Sequence, residues 1–396
     1  MLVNNQKKFK LFLKSWPSHS KVSHRNFSRK PILWTKDKPK LVTTMKESRR
    51  FMVDCLKALG TKQEYAETVA ENLLEADYRG HYSHGMNRLG RYINEVQKGL
   101  ACPNADPVVE IDHPAAAVVN GNNGFGAVVG KFSMNIAIEK AKNIGLGIVV
   151  SRNSNHYGIA GMYALQAIKK DLIGFSCTNT SPLMVPTRAK QSALGTNPIS
   201  LGVAGIDDDS FMLDYATTAV AIGKLEIQRR KGLPLPKGWA LNEEGKTETD
   251  PVKAIKAVRL LPLGGEERTG GPKGFGLGML VEIFCGILSG GDYGPTIRPW
   301  NNPKSPANLS HCFMAINPCG FTSGVELRMS KLMNMIRDME PANPKLPVLV
   351  HGDVERNHMK KVAKDGGLLY VKNQHDTNEK LAKTLKVSPM KSKPLG

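Results

Sequence analysis

The spacing of apolar residues along the 396-residue chain changes character more than once. From Thr44, Phe51, Met52, Cys55, Leu56 and Leu59 recur at three- and four-residue steps until Gly60 stops the run. That spacing predicts a helix, and Thr44 with Glu47 suggests a capping box at its start. A second helix carries Val69, Ala70, Leu73 and Leu74, and a third is expected from about His84 to Lys98 before Gly99. Beyond Pro103, short apolar runs at 116–119, 148–150, 175–177, 199–203 and 211–213 read as strands. Between them come helical patterns, one with Val129, Phe132 and Ile136 on its face, another over 158–170. Residues 228–273, rich in Gly, Pro and charge, predict a surface excursion, and 274–288 a glycine-rich entry into an apolar helix.

The pattern divides the chain into four stretches. Residues 1–44 form a basic extension, disordered or targeting in nature, and 45–105 a helical subdomain. Residues 106–325 make an α/β cofactor and substrate domain with a sheet of mixed direction, and 326–396 a C-terminal helical segment with a basic tail.

Charge sharpens this picture. Lys and Arg number 55 against 35 Asp and Glu, a net +20, and half of the excess lies in residues 1–44, where Asp37 is the lone acid. Within that extension Phe9, Phe12, Leu13 and Trp16 fall at helical spacing among lysines. A basic, Ser-bearing, amphipathic start of this kind fits a mitochondrial transit peptide, while a disordered extension on a cytoplasmic protein is the simpler reading. The six cysteines show no C-x-x-C pair, which points to reduced thiols and away from structural zinc. The longest apolar run, 279–288, contains Glu282 and is too short to span a membrane. No metal site, membrane partner or nucleic-acid partner is expected.

Three segments carry chemistry. His84 and Arg88, four residues apart on the expected helix, would point the same way. An imidazole can exchange a proton with a carbonyl or hydroxyl oxygen, and a guanidinium can grip a carboxylate with two hydrogen bonds. The pair therefore suits a 2-oxo or 2-hydroxy acid, with Ser83 able to orient the ring. A solvated His and Arg at a helix start is the competing reading. The second segment, R-N-S-N-H-Y-G from Arg152, follows a strand, so His156 is another acid/base candidate, with Asn153 and Asn155 as donors to a cofactor. The third comprises the glycine loops Gly121–Gly124–Gly126 and Gly274–Gly276–Gly278. Neither has the dinucleotide-fingerprint spacing, yet both open helices whose free N–H groups could receive phosphate.

Taken together, these motifs resemble the type 2 malate/L-lactate dehydrogenases. The matching stretches include H-Y-S-H-G-M-N-R-L from His81, N-G-N-N-G-F-G from Asn120 and S-R-N-S-N-H-Y-G from Ser151. N-T-S-P-L-M-V-P-T from Asn179, L-D-Y-A-T-T from Leu213, P-K-G-F-G-L from Pro272 and L-P-V-L-V-H-G-D from Leu346 continue the series. The resemblance, strongest to animal members, covers roughly residues 45–390. It implies a non-Rossmann, mixed-sheet dehydrogenase fold, NAD or NADP as cofactor, a small 2-hydroxy or 2-oxo acid as substrate, and a homodimer. His84 is implied as proton donor with Ser83 beside it and Arg88 on the carboxylate, His156 being the acid/base in some relatives and Lys224 another catalytic position. Asn120, Asn122, Asn123, Gly124, Thr180, Asp214, Tyr215, Ala216, Lys273 and Gly352 fall on cofactor segments. The sequence departs from the family pattern at E-E-R-T-G-G (Glu266 to Gly271), an apparent insertion before Lys273, and at His351, where relatives carry proline. Should the insertion displace Lys273, the chain would be an impaired relative acting as a binding protein.

Overall fold

The computed structural model describes residues 41–300 and 304–395, so the amphipathic pattern at the N-terminus lies outside the described residues. Strand β1 (Leu41–Thr43) leads into helices α1 (Met45–Lys57), α2 (Gln63–Tyr78) and α3 (Leu89–Gln97). Strands β2 (Val108–Asp112) and β3 (Ala116–Asn120) follow, then α4 (Gly126–Ile144), β4 (Leu146–Ser154), α5 (Gly161–Ile168), β5 (Ile173–Thr178), β6 (Ile199–Ala204) and β7 (Ser210–Tyr215). Helices α6 (Ile222–Lys231), α7 (Pro251–Ala257) and α8 (Gly271–Glu282) precede β8 (Leu309–Ile316). The chain ends with α9 (Val325–Arg337), α10 (Asp353–Asp365), β9 (Leu368–Leu369), α11 (Lys372–Leu385) and β10 (Lys393–Pro394).

The principal sheet has seven strands in the order β2-β3-β4-β8-β5-β6-β7. Only β3 and β4 run parallel; every other neighbouring pair is antiparallel, which makes the sheet mixed, as the sequence pattern predicts. Its central strand, β8, sets Phe313 opposite Val149 on one side and Ser176 on the other. Helices α4 and α5 cover one face, where Val129, Met134, Ile138, Tyr157 and Tyr163 pack with Val149 and Phe313. Gly147 lets β4 approach α4, since a Cβ there would meet the Ala137 carbonyl at 2.1 Å. On the other face Val281 and Cys285 meet Val150, Cys177, Ile199 and Cys312.

A separate cluster joins the two ends of the chain. Phe51, Leu56, Leu73, Leu89 and Ile93 from the N-terminal helices pack with Val362, Leu368, Tyr370 and Ala382 from the C-terminal segment. A three-stranded sheet, β10-β1-β9, ties the same ends by backbone hydrogen bonds. Burial at this end is nearly complete, and each such aliphatic side chain contributes about 1.5–3 kcal/mol.

Local expectations fare unevenly. Thr44 caps α1 by accepting the Glu47 N–H at 3.2 Å, but the reciprocal half of the capping box is missing, because Glu47 turns its carboxylate to Arg50 and the Lys391 N–H. The third helix starts at Leu89 after a short 3-10 turn (Met86–Arg88), so His84 lies in the turn before it rather than on it. Residues 228–273 are more than a surface excursion: Leu235, Ala240, Ala254 and Leu260 build a small core together with Leu225 of α6. The apolar helix after Gly274 is present as α8, and it widens into a π-helical turn over Ile283–Ile287.

Candidate active site

His84 owes its position to a buried carboxylate behind it. Asp77, at the end of α2, accepts the Met86 N–H at 2.9 Å and the Tyr370 hydroxyl at 2.8 Å, both on Oδ2. Gly85 passes so close that a Cβ there would sit 1.8 Å from Asp77 Oδ1. The chain therefore turns sharply over His81–His84, closed by the His84 N–H on the His81 carbonyl at 2.8 Å, instead of continuing α-helically. This overturns the expected four-residue helical pairing of His84 with Arg88, although the two groups stay close enough to interact electrostatically. Ser83 Oγ lies 2.8 Å from His84 Nδ1. Burial pushes the Asp77 carboxyl up to about 7.

His156 follows the carboxyl end of β4, in a loop that the β3–α4 connection holds rigidly. Asn155 Nδ2 donates to the Asn123 carbonyl, the Asn123 side chain and the Gly124 carbonyl at 2.8–3.0 Å. Asn153 Nδ2 donates to Asn120 Oδ1 at 3.1 Å. Gly126 fits beneath this loop because a Cβ would come within 2.1 Å of the Asn155 carbonyl. The Gly158 N–H points at His156 Nδ1 from 3.3 Å, so that nitrogen is an acceptor, and the Tyr92 hydroxyl donates to it at 2.7 Å. The ring is thus neutral with its proton on Nε2.

These two loops bring the imidazoles together, their centroids 5.6 Å apart and the rings 24° from parallel. Arg88 stands beside them. Its Nε is buried without a hydrogen-bond partner, and no carboxylate lies within ion-pair distance of it among the described residues. Burial depresses its pKa. Burial first and the Arg88 charge second push His84 down to about 3, and burial with the His84 and Arg88 charges holds His156 well below the usual range. Two neutral imidazoles therefore stand beside a cation that has no ion-pair partner among the described residues. That combination can bind a carboxylate on the guanidinium and exchange a proton with an adjacent oxygen.

The cofactor candidates separate into groups. Asp214, at the end of β7, accepts the Gly161 N–H at 2.7 Å, and burial raises its pKa against the opposing influence of His81. His81 is itself 3.6 Å from Glu355 at the start of α10, just after Gly352, whose φ of +101° demands glycine. Thr180 Oγ1 accepts the Thr196 N–H at 2.9 Å. Asp214, His81 and Glu355 thus converge near the His81–His84 turn, and their acceptor chemistry fits the hydroxyls of a sugar. Tyr215 and Ala216 follow Asp214 and are half-buried.

Asn120, Asn122 and Asn123 instead spend their side chains on Glu110, Asp106, Asn153 and Asn155, and serve to hold the His156 loop. Asn153 and Asn155, read from the sequence as cofactor donors, are committed to the same network. The glycine loops differ in what they leave open. At the start of α4 the Asn155 and His156 carbonyls crowd Gly126, and at α8 the Gly271 and Lys273 N–H groups already bond the Glu266 and Gly270 carbonyls at 2.9 Å. Lys224 and Lys273 are exposed at the surface.

The E-E-R-T-G-G insertion closes on itself. A Cβ at Gly271 would meet the Gly265 carbonyl at 2.1 Å, and one at Gly264 the Gly270 carbonyl carbon at 2.6 Å, so the two ends of the loop touch. Its tip is fastened outward by Arg188 bonding Glu267 at 2.6 Å.

Sequence reasoning missed Tyr92 and Trp300, which stand against His156 and Arg88, and Arg91, Glu95 and Arg298, which hold Trp300. Tyr92 sits one turn beyond Arg88 on a helix, and the four-residue spacing could have found it. Trp300 and Arg298 arrive from some 200 residues away, with no local signal to mark them.

Residues 43–376 match the model of the malate/L-lactate dehydrogenase family. A malate dehydrogenase of Pyrococcus abyssi is 43% identical over 334 residues, 83% of this chain and 91% of its own. An L-sulfolactate dehydrogenase of Methanocaldococcus jannaschii is 38% identical over 329 residues, 82% of this chain and 92% of its own. Among solved structures, a malate dehydrogenase from Entamoeba histolytica superposes with a TM-score of 0.83 at 30% identity, across 88% of this chain and 98% of that one. The mixed-sheet fold is common to both.

Because its ends already meet, the insertion should be dispensable. Deleting Glu266 to Gly271 is expected to leave the affinity for NADH or NADPH, read by fluorescence titration, within about threefold, since shortening a loop changes closure entropy by only ~0.6 kcal/mol per halving. Loss of saturable binding would show that the loop supports Lys273.

Proposed function

The chain belongs to the malate/L-lactate dehydrogenase family, and from that premise we propose that it interconverts a small 2-hydroxy acid, malate- or lactate-like, with its 2-oxo acid, using NAD or NADP. The observation that carries this reading is the unpaired guanidinium of Arg88 beside two neutral imidazoles. A buried cation without a carboxylate is costly, and an acid substrate supplies the missing partner.

Bound nicotinamide would take up or supply the hydride at C2. Arg88 holds the carboxylate and so fixes C2 and its oxygen near the imidazoles. In oxidation the neutral His84 accepts the hydroxyl proton; in reduction it returns that proton to the developing alkoxide. Ser83, at 2.8 Å from Nδ1, holds the ring in place. His156, held with its proton on Nε2, donates a hydrogen bond to the same oxygen and stabilises its negative charge. The carboxylate also neutralises Arg88, which removes one of the charges that depress His84 and eases its protonation. Asp214, Tyr215, Ala216, Thr180 and the Gly352 loop hold the ribose end of the cofactor, and Lys224 and Lys273 attract its phosphates.

What favours catalysis over the alternative of an impaired binding protein is that the 266–271 loop closes on itself, with Gly264 and Gly265 packed against Gly270 and Gly271. A homodimer fits the exposed apolar row Met279, Leu280, Ile283, Ile287 and Leu288 along α8 and its π-turn. A sedimenting mass of one 43.3 kDa chain would exclude it. The reduced thiols suit a cytoplasmic setting, or the mitochondrial matrix if residues 1–44 act as a transit peptide.

The direct test follows oxidation of NADH and NADPH with oxaloacetate, pyruvate and bulkier 2-oxo acids. Turnover is expected with at least one short acid, and His84→Ala is expected to lower kcat by about 10²–10⁴-fold, the usual worth of a general acid–base. Full turnover in His84→Ala would sink the assignment.

A further inference from the structure

An indole stands directly beside Arg88 and His156. Trp300 places its ring centroid 5.7 Å from that of His156, and the Arg88 guanidinium carbon lies 5.3 Å from the same ring. The ring therefore stands against both the group that takes the carboxylate and one of the imidazoles that meet the reacting oxygen. Anything attached to C2 beyond those two groups must share the remaining room with it.

The indole is held on several sides at once. The Arg91 guanidinium stacks on it, 3.3 Å from the ring centre, while Arg91 Nη2 donates to the Trp300 carbonyl at 2.9 Å. Arg91 Nε bonds Glu95 Oε1 at 3.0 Å, and the same oxygen takes Arg298 Nη2 at 2.8 Å. Arg298 and Glu95 are almost wholly buried, 7% and 4% exposed at the side chain. Ile297 and Arg298 anchor the segment just before Trp300 in the interior. A cation stacked on an indole face is attracted by the ring's negative face, and removing one partner of a buried ion pair strands the other charge. So much fastening fits a ring whose place matters. It also leaves one carboxylate, Glu95, between two guanidinium groups, so the wall carries positive charge.

We propose that Trp300 is the specificity-determining residue of this site: it limits the length of the substrate's side chain, and Arg91, with the Glu95–Arg298 pair, positions it. This inference rests on the 2-oxo acid reading above. The wall admits a short C2 substituent, and its positive charge favours one that ends in an anionic group over an apolar one. A branched or aromatic substituent meets the indole.

The test compares a short 2-oxo acid, oxaloacetate or pyruvate, with a bulky one, phenylpyruvate, in wild type, Trp300→Ala and Arg91→Met. Dissociation constants come from calorimetry without added cofactor, and kcat/KM from NAD(P)H oxidation, with thermal melting as the check on folding. In Trp300→Ala the bulky-to-short ratio of kcat/KM and of affinity should rise at least tenfold, since steric fit of even one methylene in a pocket is worth about 10–200-fold. Arg91→Met, which keeps bulk but removes the stack and the carbonyl bond, should move the ratio the same way by a smaller factor. If Trp300→Ala fails to fold, Trp300→Leu reads the same ratio. An unchanged ratio, or parallel loss with both acids, overturns the wall while leaving the dehydrogenase reading intact. Failure of wild type to bind or reduce any of the acids overturns both.

Discussion

Arg88 is held beside His84 and Trp300 with its Nε buried and unsatisfied and, among the described residues, no carboxylate within ion-pair distance, an arrangement that folding alone would select against. Much else follows from it. Burial first, and the Arg88 charge beside it, hold the His84 and His156 imidazoles neutral. The aromatic groups Tyr92 and Trp300 line the same space, and the face of Trp300 tolerates a guanidinium that apolar walls would not. In the proposed reaction an entering carboxylate would supply the missing partner. Binding energy and the protonation state of His84 would thereby be linked through one residue.

The fold supplies this geometry by meeting from two directions. Behind the His84 turn, Asp77 accepts hydrogen bonds from Met86 and from Tyr370, so the N-terminal helices and the C-terminal segment jointly fix the turn. From the sheet side, the parallel pair β3–β4 delivers two consecutive loops to the same place, and the Asn120–Gly124 loop locks the His156 loop through Asn153 and Asn155. A ligand site at the carboxyl ends of adjacent parallel strands is a common solution in α/β proteins. Here the sheet needs only one such pair to make it.

Much of this was legible in the sequence because it is local. The strands at 116–119, 148–150 and 211–213 carry short β-branched or apolar runs, and the R-N-S-N-H-Y-G loop sits directly after one of them. The central strand β8 escaped notice, since Ser310 and His311 break its apolar pattern; both are buried and satisfied by side chains of other strands and loops, His311 by Ser154 and Thr178. The His84 helix was misplaced for a similar reason. Periodicity through Met86 and Leu89 continues past the turn, and only the distant Asp77 carboxylate under Gly85 shows why the helix must stop short. The asparagines of the 120–123 loop looked like ligand donors, but their polarity is consumed in holding another loop. Trp300 and Arg298 were invisible, because nothing in their neighbourhood reveals that they fold back onto α3.

The linkage between Arg88 and the imidazoles can be observed without turnover. Nitrogen-15 NMR of the histidines, with His84→Gln and His156→Gln for assignment, follows their protonation across pH. Both rings should remain neutral from about pH 8 to about pH 5, a range in which an ordinary histidine charges, and a short 2-oxo acid should shift the His84 signals toward the protonated form at the acid end. Titration of both rings near pH 6.5, unaffected by the acid, would contradict the account.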